Sequence, residues 1–236
     1  SAVDDEVDAV RQALQELGHI PRKAAVTTAD DVYRQLTSAP VDLVFNLTEG
    51  LDGDSAAESH VAAMIDMLGM AYTGNNPLTL ALARNKTLTK KILAASGILT
   101  PEWAFYDSVP AGPPVCLGFP LIVKPAAEDA SLGILEDAVV RDFPGLCRNC
   151  RRLLEQYPRD GVLVEKFIPG REFNVALLPD GGGVKALPPS EIDFSGLEPG
   201  ADQVVSYKAK WVEDDALYRA TPSRCPADVP GDLKAR

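Results

Sequence analysis

The sequence predicts an α/β unit followed by an α+β unit, and three observations support this fold class. Across residues 1–84, apolar residues at helical spacing alternate with an apolar run typical of a buried strand. Alternating strands and helices favour a parallel sheet covered by helices. Beyond a Pro/Gly-rich stretch at residues 110–114, several strand patterns surround one helical pattern, which favours an antiparallel sheet.

The chain opens with helix signals. Apolar residues recur at helical spacing and stop at Gly18, a residue type that commonly ends helices; they are Val7, Val10, Leu14 and Leu17. Residues 24–26 are a weaker strand candidate. Asp30 is then a candidate cap for a short second helix, which Pro40 ends.

A buried strand is predicted at residues 41–47, VDLVFNL, and a helix at residues 61–68 that closes at Gly69. Parallel sheets bind ligands at the carboxyl ends of their strands, which directs attention to Thr48, Glu49 and Gly50. A unit of this kind usually begins with a strand, whereas this sequence begins in a helix. The first strand and its loop are therefore expected to be missing.

The second part begins with Asn85, a plausible N-cap for a helix that Gly97 closes. Beyond the Pro/Gly-rich stretch, one helix is expected near residues 146–157. Strands are expected around it at residues 121–124, 162–167 and 173–178. A turn at residues 180–183 then precedes another strand that runs through Ile192.

Composition excludes several classes of function. The formal charge of −11 argues against nucleic acid as a partner, since phosphate backbones require a surplus of Lys and Arg. A nucleotide is not excluded, because its few phosphates require only a few cations. Charges interrupt every apolar stretch, so no membrane span is expected, and no apolar signal run opens the chain.

The cysteines and histidines argue against a zinc or redox site, a His-rich metal centre and a hydrolase triad. Cys147 and Cys150 form a lone CxxC in a helical pattern without a second ligand pair, so free thiols are expected rather than a zinc or redox site. His19 and His60 are the two histidines, and both are expected to be structural or solvated. The chemistry is therefore expected to rest on Lys, Glu, Asp, Ser and backbone amides.

Lys124 ends an apolar strand pattern directly before a small, polar loop at residues 126–133, AAEDASLG. Backbone amides in such a loop can surround phosphate oxygens, and a lysine at its entrance can neutralise them. By itself, this pattern fits a surface turn after a lysine equally well.

Glu165 lies near the end of a second apolar run and precedes Phe167. A glutamate there can accept a hydrogen bond from an adenine amino group, while the aromatic ring covers the base. By itself, this pattern also fits a hairpin with charged ends, and Phe167 and Ile168 also fit ordinary core positions.

Taken together, the segments resemble a known family. The runs VKPAAEDASLGI, LVEKFIPGREFNVALL and SYKAKW resemble the nucleotide site of ATP-grasp enzymes, and the D-alanine–D-alanine ligases in particular. The likeness begins earlier, with VDLVFNLTEG, MAYTGNN and NKTLTKKILAASGILTP, and extends to RCPADVP. It implies an ATP-grasp fold with an N-terminal Rossmann-like domain at residues 1–84, a central ATP-binding subdomain at 85–180 and an incomplete C-terminal subdomain at 181–236.

The resemblance also implies roles for individual residues. Lys86 and Lys124 would contact the nucleotide phosphates, and Lys210, in an expected loop, would reach the γ-phosphate. The loop that covers the phosphates would use Ser131 and the amides through Gly133; Ser131 and Lys210 are thus the catalytic candidates. The expected adenine pocket consists of Glu165, Lys166, Phe167 and Ile168. Glu172 would hold the ribose hydroxyls.

The sequence departs from the family where amino acids would bind. Family members specific for D-alanine carry a serine and a tyrosine where this sequence has Ala130 and Trp211. Their histidine before a glycine is here Glu49, so Glu49 and Trp211 are the substrate candidates. No residue takes the roles of the family's Mg²⁺ ligands, which are expected in a missing C-terminal part.

The resemblance implies a cytoplasmic ligase that uses ATP and Mg²⁺ to join small amino-acid-like substrates through an acyl phosphate, with a homodimer as a possible state. Loops at residues 126–133 and 204–211 are expected to close over the site. Two alternatives remain: a nucleotide-binding module without catalysis, and an ATP-grasp enzyme that joins other partners, such as a carboxylate and a thiol.

Overall fold

Helices make up most of the first of two structural units. The computed structural model describes residues 2–231, and the chain divides into Ser1–Thr100 with Ala126–Asp129, and Pro101–Pro125 with Ala130–Arg236. Within the first unit lie α1 (Ala2–Glu16), α2 (Ala29–Thr37), α3 (Ala57–Met67), α4 (Pro77–Arg84) and α5 (Lys86–Ala95). The division into three domains that the resemblance implies stays a prediction.

Local signals explain where these helices begin and end. Gly18 follows α1 with a φ of +85°, a conformation that glycine adopts at little cost. Asn85 caps α5 by accepting from the Leu88 N–H, which confirms its predicted role. Asp30 does not cap α2. Thr28 does, in a capping box with Asp31, so the cap lies two residues before the predicted one.

The strand predicted at residues 41–47 is wrong, and residues 24–26 also form no strand. Only a single parallel bridge joins Val44 to Tyr72, with the Val44 N–H donating to Ala71 O at 2.9 Å. Val44 packs on a small core, whereas Leu43 and Phe45 on either side are about half exposed. A strand requires hydrogen-bonded pairing along its length, and residues 41–47 pair with a neighbouring segment only at Val44.

The second unit contains the predicted antiparallel sheet. Its strands are β1 (Trp103–Tyr106), β2 (Leu121–Pro125), β3 (Val139–Val140) and β4 (Val162–Lys166), in the spatial order β1-β4-β2-β3. Helix α6 (Phe143–Gln156) packs on one face of this sheet. Apolar residues from both elements form the main core: Leu121, Val123, Val162, Val164, Leu146, Cys150 and Leu153.

The cysteine pair lies in this helix. Cys147 and Cys150 form no disulfide, and Cys150 is fully buried in the core. Burial raises the pKa of the Cys150 thiol to about 12, which keeps it protonated and unreactive.

Small strands and helices complete the second unit. β5 (Glu172–Asn174) pairs with β8 (Ser190–Ile192), which pairs with β9 (Ser223–Arg224). A separate hairpin joins β6 (Leu177–Asp180) to β7 (Gly183–Ala186) around the predicted turn. The single strand predicted at residues 173–178 is therefore wrong, because the chain leaves one sheet after Asn174 and enters another at Leu177.

Two short helices lie between β8 and β9. They are α7 (Tyr207–Trp211) and α8 (Ala216–Ala220). Ser206 caps α7 by accepting from the Ala209 N–H, so Lys210 lies in a helix and not in the predicted loop. Across residues 2–231, no helix is long and apolar enough to cross a membrane.

Candidate functional site

A lysine–glutamate pair lies on the sheet face opposite α6. Lys124 forms an ion pair with Glu165, whose side chain is only 7% exposed. In the β2–β4 register, Lys124 faces Leu163 and Ile122 faces Glu165, so the two charges are diagonal neighbours on one face. A buried carboxylate is strongly disfavoured unless a cation or hydrogen bonds compensate for lost water. The strand register therefore places the Lys124 ammonium where it compensates for the buried Glu165 carboxylate.

The chain after Glu165 is tied to the segment that leads into β2. The Lys166 ammonium donates to Gly118 O at 2.7 Å and to Phe119 O at 3.2 Å. The Phe167 N–H donates to Pro120 O at 3.1 Å. Ile168, by contrast, is 63% exposed and is available to a ligand.

A cleft of about 600 Å³ brings together three residues that the sequence singled out, Ser131, Glu172 and Lys210. This volume is within the usual range for small-molecule sites. The cleft also has polar residues that sequence reasoning missed: Asn174, Tyr218, Arg219, Thr221 and Ser223. Their positions depend on the β5-β8-β9 pairing and on α8, for which no local pattern gave a signal.

Glu172 links the cleft to the sheet face. It begins β5 opposite Ile192 and keeps contact with solvent. Partial burial raises the pKa of the Glu172 carboxyl, while the positive charge of Lys124 acts in the opposite direction. The influence of Lys124 shows that these two predicted residues are electrostatic neighbours.

The loop after β2 adopts an unusual backbone conformation. Ala130 and Ser131 have φ values of +53° and +59°, although neither is a glycine. Each left-handed residue costs about 1–2 kcal/mol. Such a conformation persists only where surrounding contacts compensate for it.

Three hydrogen bonds join this loop to the segment around α7. The Ser131 hydroxyl donates to Val205 O at 2.9 Å, and the Trp211 indole N–H donates to Ala130 O at 2.7 Å. The Tyr207 N–H donates to Ile134 O at 2.9 Å. We refer to residues 130–134 and 205–211, joined in this way, as the clasp. Bonds worth about 0.5–1.5 kcal/mol each offset the backbone strain almost evenly.

Gly133 has a packing role in addition to its predicted place in the phosphate loop. Its φ is +75°, and an added Cβ would lie 2.7 Å from the Pro125 Cγ and 2.9 Å from the Tyr157 Cε2. Arg152 donates to the Gly133 carbonyl at 3.3 Å, and buried Asn149 accepts from Arg152 at 3.0 Å. Helix α6 thus fixes one end of the loop.

Lys86 belongs to the first unit. Its ammonium donates to the Glu128 carbonyl and lies 3.7 Å from the Asp129 carboxylate. Arg84 and Ser55 bind the Glu128 carboxylate, at 3.6 Å and 3.1 Å. These contacts attach Ala126–Asp129 to the first unit.

The two substrate candidates have different surroundings. Glu49 lies in the first unit near Glu58, where burial, followed by the charges of Asp129 and Glu49, raises the pKa of the Glu58 carboxyl. The single N–H of the Trp211 indole donates to Ala130 O within the clasp, so the indole has no further donor for a substrate.

Among residues 2–231, no group of three or more His, Cys, Asp or Glu side chains is arranged to hold a metal ion.

Comparison with known proteins gives consistent matches. Residues 108–235 match the family described as D-ala D-ala ligase C-terminus. A D-alanine–D-alanine ligase of Sphingopyxis alaskensis is 33% identical over 232 residues, which cover 96% of this chain and 67% of that protein. Three further curated relatives extend well beyond the matched region, since the chain spans between 54% and 65% of their length.

Two solved structures have similar folds. The D-alanine–D-alanine ligase of Bacillus anthracis aligns with a TM-score of 0.64 and 25% identity, covering 89% of this chain and 62% of that one. An L-amino acid ligase of Bacillus licheniformis aligns with a TM-score of 0.53 and 25% identity, covering 69% of this chain and 35% of that one.

Proposed function

Because the chain belongs to the D-alanine–D-alanine ligase family, we propose that it carries the ATP-binding part of a ligase that joins a carboxylate to an amine. One observation carries the proposal: Ser131, Glu172 and Lys210 line a single cleft, and Glu172 is an electrostatic neighbour of Lys124. These are four of the residues to which the family resemblance assigned nucleotide contacts. The outermost two, Lys124 and Lys210, are 86 positions apart in the sequence.

In this proposal, ATP lies along the exposed part of the sheet face. Residues 165–168 line the adenine pocket, Glu172 accepts hydrogen bonds from the ribose hydroxyls, and Lys124 neutralises phosphate oxygens. The phosphate contact that the resemblance implies for Lys86, in the first unit, stays a prediction. Lys210 contacts the γ-phosphate, where negative charge shifts during transfer, and a fixed cation there stabilises the transition state. In the same proposal, Ser131 and the amides that follow it lie over the phosphates, and the closed clasp excludes water.

The reaction then has two steps. A carboxylate oxygen of the first substrate attacks the γ-phosphorus, the bond to the bridging oxygen breaks, and ADP leaves with the electron pair. The amine nitrogen of the second substrate attacks the carbonyl carbon of the acyl phosphate, phosphate leaves, and the nitrogen loses its proton. Acyl phosphates hydrolyse readily, so a closed clasp favours the amine over water.

We propose that the amino acids joined are not restricted to D-alanine. A pocket for a small zwitterion depends on hydrogen bonds, and here Ala130 has no hydroxyl and the Trp211 donor is occupied. The L-amino acid ligase among the structural relatives supports a broader substrate class. Phosphate release by the protein from the complete gene, measured across D- and L-amino acids, tests this. Much faster phosphate release with D-alanine than with every other amino acid contradicts this proposal.

Several implied features remain predictions. A Rossmann-like first domain is supported by the parallel Val44–Tyr72 bridge. The described residues do not fit a Mg²⁺ site, so no step above depends on this ion. Cytoplasmic location and a homodimer are implied by the resemblance. A non-catalytic nucleotide-binding module would release no ADP. A ligase that joins a carboxylate to a thiol would release ADP when thiols are added and not when amines are added.

Calorimetry tests nucleotide binding directly. Lys124→Ala and Glu172→Ala should each weaken ATP binding roughly ten- to hundred-fold, the value of one charge-assisted hydrogen bond. Lys185→Ala, on the exposed hairpin strand β7, is the matched control and should bind like wild type. Thermal unfolding of each variant shows that it is folded. Equal ATP affinity in wild type and both site variants overturns the assignment.

A further inference from the structure

The cleft has two cations, Lys210 and Arg219, on the successive helices α7 and α8. Within residues 2–231, neither cation forms a salt bridge, although Lys210 lies 5.2 Å from the centre of the Trp211 ring. Glu172 is the one acidic residue in the lining. Two cations without carboxylate partners, facing one cleft, create a positive potential that attracts anions.

Arg219 is held in place without losing its binding capacity. One of its terminal nitrogens donates to Asp214 O at 2.6 Å, just before the helix that Asp215 caps. A guanidinium has five N–H donors, so most of them remain available to a ligand. Its planar fork matches the paired oxygens of a phosphoryl or carboxylate group.

We propose that Arg219 and Lys210 form a two-cation site for an oxyanion group, either the terminal phosphoryl group of a nucleotide or the carboxylate of an amino-acid substrate. This inference rests on the proposed function for the identity of the ligand. It adds Arg219, on α8, to the residues that the resemblance assigned. Hydroxyl groups of Tyr218 and Ser223 in the same lining supply further donors to such a group.

The first test measures binding of inorganic triphosphate and of ATP by calorimetry. Arg219→Met should weaken triphosphate binding about ten-fold, the low end for a charge-assisted hydrogen bond. Arg219→Lys keeps the charge and should restore part of the affinity. Arg151→Met, on the exposed side of α6 and outside the cleft, removes the same charge and should leave binding unchanged.

A second experiment distinguishes a nucleotide phosphoryl group from an amino-acid carboxylate as the bound oxyanion. The KM for each amino acid, measured on the protein from the complete gene, should rise in Arg219→Met if the ligand is a substrate carboxylate. In that case, nucleotide affinity stays at the wild-type value. Unchanged triphosphate affinity, ATP affinity and amino-acid KM together overturn the inference.

The outcomes also separate this inference from the proposed function. If wild type binds ATP and the Arg219 variants match it in every arm, the inference fails and the proposed function stands. If wild type binds triphosphate through Arg219 but not ATP, the proposed function fails and the anion site stands. If wild type binds neither ligand and no amino acid is a substrate, both are overturned.

Discussion

The sheet face and the clasp hold candidate site residues in opposite ways. On the sheet face, Lys124 and Glu165 project from paired strands, and Glu165 is nearly inaccessible to solvent. In the clasp, Ala130 and Ser131 adopt left-handed conformations that hydrogen bonds to a distant segment hold in place. The sheet-face residues are therefore held by strand pairing, whereas the clasp residues are held by a few hydrogen bonds that local opening can break.

This difference matches what each region is proposed to do. A site that binds a nucleotide benefits from a fixed cation, since preorganised charge needs no rearrangement when the ligand arrives. A cover must open to admit substrates and release products. The backbone strain and the hydrogen bonds of the clasp are of similar free energy, so its open and closed states differ little in stability. A ligand that binds one state modestly better can therefore shift the equilibrium between them.

The largest effect is expected from the sheet side. Lys124→Met leaves the Glu165 carboxylate buried without this cation and should lower the free energy of unfolding by roughly 3 kcal/mol. Urea unfolding, monitored by circular dichroism, measures this loss in free energy. The double variant Lys124→Met/Glu165→Leu should recover most of the loss. A loss well below 1 kcal/mol in the single variant shows that the pair is not truly buried.

The junction between the two regions gives the next largest effect. Gly133→Ala combines a positive φ with a clash against Pro125 and Tyr157, and should cost roughly 2–3 kcal/mol. Gly182→Ala also has a positive φ, but its Cβ meets open space, so it should cost about 1 kcal/mol. Equal losses in the two variants contradict the packing role assigned to Gly133.

A smaller and local effect is expected in the clasp. Trp211→Phe removes the indole donor but keeps an aromatic ring, and should cost about 1 kcal/mol. Hydrogen–deuterium exchange of residues 130–134 should then become about five-fold faster, while β4 keeps its protection. Trp103→Phe, in β1, is the matched control. Unchanged exchange in residues 130–134 shows that the indole does not hold the loop.

The smallest effect concerns the pH dependence contributed by Glu172. Since partial burial raises the pKa of its carboxyl in the folded state, the folded protein binds this proton more tightly than the unfolded chain. The resulting stabilisation is fully present below the unfolded pKa, near 4.3, and is lost as pH rises through the higher folded pKa.

Denaturant unfolding of wild type and Glu172→Gln between about pH 4 and pH 7 checks this direction. The stability of wild type relative to Glu172→Gln should fall as pH rises. Glu198→Gln, at an exposed position of the same unit, controls for the general loss of a charge. A difference that grows with rising pH instead contradicts the sign.

The sequence by itself determined features that depend on neighbouring residues. Asn85 caps α5 through an N–H three residues away, and Gly18 ends α1 because glycine tolerates a positive φ. The antiparallel sheet followed from apolar runs that α6 covers, and the order of short segments identified the family. At residues 41–47 the same reasoning failed, because a strand requires a paired neighbour along its length and this run pairs only at Val44.

Only the tertiary structure decided which side chains meet. The Lys124–Glu165 pair depends on a strand register that a shift of one residue would abolish. The Trp211–Ala130 bond joins positions 81 residues apart and requires a left-handed alanine that no propensity predicts. Arg219 reaches the cleft because α8 follows α7 and leads into β9. Such contacts depend on long-range packing, whereas caps and periodicity depend on bonds formed within one or two turns of the chain.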